Sequence, residues 1–160
     1  MLSTQANVEP RLEAWVRFLR AHASLTRQLS ARLEAEHGLT LRDFDVLAQL
    51  AYAPDRQLRR IDLARSVLLS PSGVTRLLDG LERAGLVEKG ICASDARVTY
   101  AVLTDSGFEA FSAARRAHVR DVDALFSSRF EPREREQLAS LLGQLLEPDE
   151  DDPTCTAEPE

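Results

Sequence analysis

Between residues 70 and 103 the chain gathers the signals of a capped helix followed by two strands, and no other stretch restricts the fold as much. Ser70 suits an N-cap and Pro71 the first helical position, where a missing N–H costs nothing. Val74, Leu77, Leu78 and Leu81 then recur at i, i+3, i+4 and i+7, while Ser72, Thr75, Arg76 and Asp79 fall on the opposite side. Gly85 closes this helix. The runs Leu86-Val87-Glu88-Lys89 and Val98-Thr99-Tyr100-Ala101-Val102-Leu103 read as strands, joined by the polar tip Gly90 to Arg97 as a hairpin with a long loop.

The flanking segments are helical. Leu12, Trp15, Phe18, Leu19, His22, Leu25, Leu29 and Leu33 predict one long helix over 12–37 that stops at Gly38. Thr40 with Asp43 starts a second helix, striped by Leu41, Phe44, Leu47 and Ala51 and ended by Pro54. A short third helix runs from about Arg60, with Ile61, Ala64 and Leu68 inward. After the cap Thr104, a second long helix carries Phe108, Phe111, Val122, Leu125 and Phe126, its stripe interrupted by Arg115 and His118. Pro132 opens a last helix with a seam of Leu138, Leu141, Leu142 and Leu145. The expected fold is therefore mainly α with a small β-hairpin wing: a winged helix-turn-helix lobe over 40–103, and long dimerisation helices over 12–37 and 105–146. Residues 1–146 form one domain in this reading, and 147–160 an acidic disordered tail.

The net charge of −6 argues against a nucleic-acid partner until its distribution is resolved. Residues 58–99 carry seven basic and five acidic side chains, whereas the last fourteen residues hold seven acids and no base. A solvated acidic end thus masks a modestly basic centre. No run approaches the roughly 18 apolar residues of a membrane helix, and the start lacks a basic leader and apolar segment, so a cytoplasmic protein away from membranes is expected. Two cysteines, Cys92 and Cys155, make neither a disulfide framework nor a zinc spacing, and the three histidines match no recognised metal motif. No metal and no cofactor are expected. Neither a G-x-S-x-G elbow nor a Walker-type loop is present, and no catalytic residues are assigned.

Two short helices followed by a hairpin place one helix in a DNA major groove. The start of the helix at residue 71 offers unpaired N–H groups to phosphate, and Ser72 and Gly73 let the backbone come close. Thr75 and Arg76, one turn further in, reach base edges: arginine matches guanine O6 and N7, and the threonine methyl suits thymine. On the hairpin tip, Arg97 suits a narrow minor groove, with Asp95 holding its orientation. Lys89, Arg59 and Arg60 are expected as phosphate contacts. An ordinary capped surface helix and a surface ion pair account for the same spacing without DNA.

The run SPSGVTRLLDGLERAGLVEKGICASDARVTYAVLTDSG resembles the MarR family, the multiple-antibiotic-resistance-type regulators, which show Ser-x-x-Val-Thr-Arg-Leu before Leu-Glu-x-x-Gly-Leu-Val. The likeness is strongest over 58–107 and extends as helix pattern from 12 to 146. It implies a winged-helix dimer that often represses transcription, dimerised by its first, fifth and sixth helices, with small anionic or phenolic ligands releasing DNA. Carried over, Ser70, Ser72, Thr75 and Arg76 fall in the recognition region, and Asp95 and Arg97 match the wing Asp-x-Arg. The chain departs from the pattern at Gly80, Ala96 and Val98, which points to fewer wing contacts.

Two long helices with more apolar surface than one lobe can cover imply a homodimer, and its operator should be an inverted repeat with half-sites roughly 10 base pairs apart. Trp15, His22, Phe44 and Asp45 are candidates to line a cleft for a small organic effector; aromatic residues at helical spacing are equally core or dimer interface. Cys92 lies between Lys89 and Arg97, which suits a redox or electrophile sensor as well as an inert side chain. A winged helix used purely for protein contact is the remaining alternative.

Overall fold

Six α-helices and a three-stranded antiparallel sheet make up the computed structural model, which describes residues 9–67, 71–91 and 98–146. Helix α1, Glu13–His37, follows a 3₁₀ turn at Pro10–Leu12 and stops at Gly38. Helix α2, Leu41–Tyr52, starts at the expected cap: the Thr40 hydroxyl accepts from the Asp43 N–H at 3.1 Å, and the Asp43 carboxylate accepts from the Thr40 N–H at 2.8 Å. This reciprocal pair satisfies two donors that a helix start leaves open. Helix α3 is Arg60–Ser66 and α4 is Pro71–Arg83.

In α4, Val74, Leu78 and Leu81 are buried and Leu77 packs against the same core, as their spacing predicts. Gly85 then takes φ +71°, a left-handed conformation that costs a residue without Cβ little, and turns the chain into the sheet. Strands β2 (Val87–Ile91) and β3 (Thr99–Leu103) pair antiparallel, with Val87 opposite Leu103 and Ile91 opposite Thr99. Gly90 belongs to β2 rather than to the hairpin tip, and β2 begins one residue later than expected. A third strand, β1 (Gln57–Arg59), pairs with the other side of β3. Three residues are too few to show a period of two, so the sequence carried no sign of it.

Helix α5, Asp105–Leu125, is capped by Thr104, whose hydroxyl accepts from the Gly107 N–H at 2.9 Å. The same hydroxyl donates to the Gly85 carbonyl at 2.8 Å, and the Thr104 N–H donates to the Leu86 carbonyl at 3.1 Å. An ideal Cβ at Gly107 would sit 2.0 Å from the Leu86 oxygen, so glycine is what lets α5 meet the exit of α4 this closely. Helix α6, Pro132–Gly143, follows a 3₁₀ turn at Ser127–Arg129.

The core gathers Leu33 of α1, Phe44, Val46, Leu47 and Leu50 of α2, Leu63 of α3, the α4 leucines, and Phe111 and Ala114 of α5. One expected phase is corrected: Ile61 is 59% exposed, and Leu63 with Ala64 faces the core. In so short a helix the backbone coming out of β1 sets the rotation, and a single apolar residue cannot override it. Two of the buried positions on α5 are small, Ala114 and Ala117, and α5 packs along α1. Asp121, only 5% exposed, is held there by Arg32 of α1 at 3.0 Å and by Arg120 at 3.2 Å, and Arg120 reaches on to Glu36 at 2.9 Å. A buried carboxylate needs such partners to remain charged.

Candidate DNA-contact surface and adjoining cavity

Because its apolar side is spent on the core, α4 turns Ser72, Thr75, Arg76 and Asp79 outward, and all four are exposed. Gly73 is half-buried beside them. No acidic side chain occupies the first turn of α4, so nothing there opposes the partial positive charge of the helix start. Lys89 is exposed on β2. At Gly90 a Cβ would lie 3.0 Å from a Val102 methyl and 3.2 Å from Tyr100, which keeps this stretch of β2 free of a side chain.

The two arginines expected at phosphates separate. Arg59 is half-exposed on β1 with Asp62 paired to its guanidinium. Arg60 is turned inward: its side chain is 22% exposed, and its Nη2 lies 3.6 Å from Glu82 and 4.0 Å from Asp79. It braces α3 against α4, because two carboxylates one turn apart on α4 draw the cation under the helix pair. This placement leaves less of the Arg60 guanidinium open toward the surface than the expected phosphate contact supposed. Exposed Arg65, near Asp62 at 4.0 Å, is a cation on α3 that the sequence reading passed over. Ser70, Cys92, Asp95 and Arg97 lie outside the described residues, as do Leu68 and the tail 147–160.

A cavity of about 260 Å³ opens between α2, the end of α3 and α5. Phe44, Tyr52 and Phe111 wall it, with ring centroids 5.5 Å apart for Phe44 and Phe111 and 5.8 Å for Tyr52 and Phe111. Asp45, Arg115 and His118 supply its charged and titratable lining. Burial pushes the Asp45 carboxyl up and the His118 imidazole down, the latter opposed by the charge of Asp121.

Of the four residues expected around a cleft, Phe44 and Asp45 line this cavity, whereas Trp15 and His22 do not. Those two flank Phe18 on the exposed face of α1, with ring centroids 6.1 and 6.2 Å from it. Spacing along one helix cannot say which other helix faces it, and here the partner of Phe44 is α5. Arg115 and His118 are, with Tyr52 and Phe111, among the lining residues the sequence reading did not point to. For Arg115 and His118 a signal was present as the break in the α5 stripe, since polar side chains on an inward face need a reason to be there. Among the described residues no group of three or more His, Cys, Asp or Glu could hold a metal ion, and no helix is long and apolar enough to cross a membrane.

Residues 37–98 match the MarR family model. The chain is 32% identical over 138 residues to the HTH-type transcriptional regulator YkoM of Bacillus subtilis, covering 86% of this chain and 87% of that one. Among solved structures, AbsC, a MarR family transcriptional regulator from Streptomyces coelicolor, superposes with a TM-score of 0.77 at 31% identity, covering 82% of this chain and 88% of AbsC. Sco3205, a MarR family regulator from the same organism solved in complex with DNA, superposes with a TM-score of 0.78 at 26% identity over 86% of this chain and 89% of its own.

Proposed function

This chain belongs to the MarR family, and on that premise we propose that it is a cytoplasmic, homodimeric transcription regulator that reads an inverted-repeat DNA operator. The observation that carries the reading is the division of α4: one side is sealed in the core, and the other presents Thr75 and Arg76 beside a helix start with no acid in its first turn. Ser72 and Gly73 let phosphate approach the backbone, Lys89 and Arg59 add positioning charge, and Arg76 reads a guanine edge. Ser70, Asp95 and Arg97, outside the described residues, are retained as DNA contacts on the family resemblance alone.

The test begins by selecting binding sites from random duplexes with purified protein. Binding to the selected site is expected to fall steeply with added salt, and Arg76→Ala to cost about 1 to 3 kcal/mol while relaxing one base position. A flat salt response would assign the winged helix to protein recognition instead.

We further propose that a small organic effector occupies the cavity between α2 and α5. Its support is the aromatic walls with a few converging polar groups, and the fact that Ser66 and Val67, at the end of α3, line it directly ahead of α4. A ligand there would press on the segment that sets the position of the recognition helix.

A further inference from the structure

Gly80 stands in the interior of α4 without a packing reason to be glycine. A Cβ there would meet nothing within 4 Å, and the helix runs on through it, with the Ala84 N–H donating to its carbonyl at 3.1 Å. Glycine is among the least helix-favouring residues because its backbone has the most freedom to lose, so it is where α4 yields most readily. Thr75 and Arg76 lie on the N-terminal side of this point, and buried Leu81 lies just beyond it. Arg60 of α3 spans it. Its Nη2 is 4.0 Å from Asp79, the residue before Gly80, and 3.6 Å from Glu82, two residues after. That nitrogen is buried and makes no hydrogen bond among the described residues, so charge holds it to the two carboxylates. Arg83 also ties Asp79, donating from Nε to its carbonyl at 3.0 Å, but it belongs to α4 and cannot fix that helix against α3.

We propose that Arg60 is a positioning residue for DNA reading: a cross-brace from α3 that supplies, on both sides of Gly80, the stiffness the glycine takes away, and so fixes where Thr75 and Arg76 meet the bases. The inference rests on the DNA-binding reading above. A buried cation between two anions resists the loss of either partner, because the charge left behind would be uncompensated. Asp79 and Glu82 are thereby kept at fixed separations from α3, and the helix that carries them keeps its course. Base-edge contacts demand closer placement than phosphate contacts, which position the protein without reading sequence. A loosened α4 therefore loses affinity for its own site more than for an arbitrary duplex.

Arg60→Met keeps the length of the side chain and removes its charge, an exchange that folds tolerate at buried ion pairs. Binding of the full chain to the selected site and to a random duplex would be measured by fluorescence anisotropy across a salt series, with denaturant unfolding followed in parallel so that affinities refer to folded protein. Expected are a loss of roughly tenfold at the selected site, a smaller loss on the random duplex, and an unchanged salt slope. Gly80→Ala added to Arg60→Met should restore most of the selected-site affinity, and should gain more there than in the unaltered chain. A salt slope reduced by about one makes Arg60 a phosphate contact and overturns the proposal. Full selected-site affinity in Arg60→Met, or a loss that Gly80→Ala does not relieve, overturns it and leaves the DNA reading standing. If Arg60→Met does not fold, Glu82→Gln, which removes the nearer carboxylate, decides by the same loss and the same rescue. Absence of duplex binding by the unaltered protein overturns the DNA reading and the brace together.

Discussion

Helices α4 and α1 are both amphipathic by sequence, but only α4 completes its burial within the chain. Val74, Leu78 and Leu81 are at most 3% exposed, whereas Trp15 is 56% exposed and Leu12, Phe18 and Leu19 stand open beside it. At the far end of the chain Leu141 and Leu145 of the α6 segment are likewise uncovered. The same periodicity thus serves two purposes: in the lobe it orients a helix against its own core, and at the terminal helices it leaves a surface for something else. Exposed apolar side chains of this kind suit an interface, and a second copy is the proposed occupant.

The comparison can be broken at either side. Leu78→Ala should lower the stability of the fold by about 2 to 5 kcal/mol, read by chemical denaturation, because a fully buried leucine leaves a cavity. A much smaller loss would mean that the lobe is not the tightly packed partner in the contrast. Trp15→Ala should leave the secondary structure intact and shift the protein toward monomer, by roughly 1 to 3 kcal/mol of association free energy, read by sedimentation at falling concentration. An unchanged association constant would remove α1 from the interface.

The smallest expected effect concerns pH, and it sharpens where α2 and α5 meet. His118 binds its proton less readily folded than unfolded, so the unfolded chain takes up more protons on acidification. Stability should therefore hold above the ordinary histidine value of 6.5 and decline as pH drops below it. His118→Gln should flatten that part of the profile, and a decline that survives the substitution would place the titrating group elsewhere.

Much of this was legible because capping and periodicity are local. Thr40 with Asp43, Gly38, Gly85 and the α4 stripe each depend on residues within a turn or two, and each appears where expected. The failures share one feature, which is that a distant segment decided them. Arg60 was read as a surface cation until Asp79 and Glu82 drew it inward. Ile61 is exposed and Leu63 buried in a helix that leaves β1, a strand invisible at three residues and held by its pairing with distant β3. His22 and Trp15 have the composition of a ligand wall but stand on the open side of α1.

The order of the helices and of strands β2 and β3, the α4 stripe and its outward face, and the family likeness follow from the chain read in one dimension, since hydrogen bonds along a helix and the alternation of apolar side chains act over short separations. The cavity does not. Its walls come from positions 44 to 67 and 111 to 119, and only the packing of α5 across α2 brings Asp45, Arg115 and His118 to one space. Burial there removes water from Asp45 and His118, and that loss of solvent, which no local pattern encodes, pushes the carboxyl up and the imidazole down, the latter against the charge of Asp121.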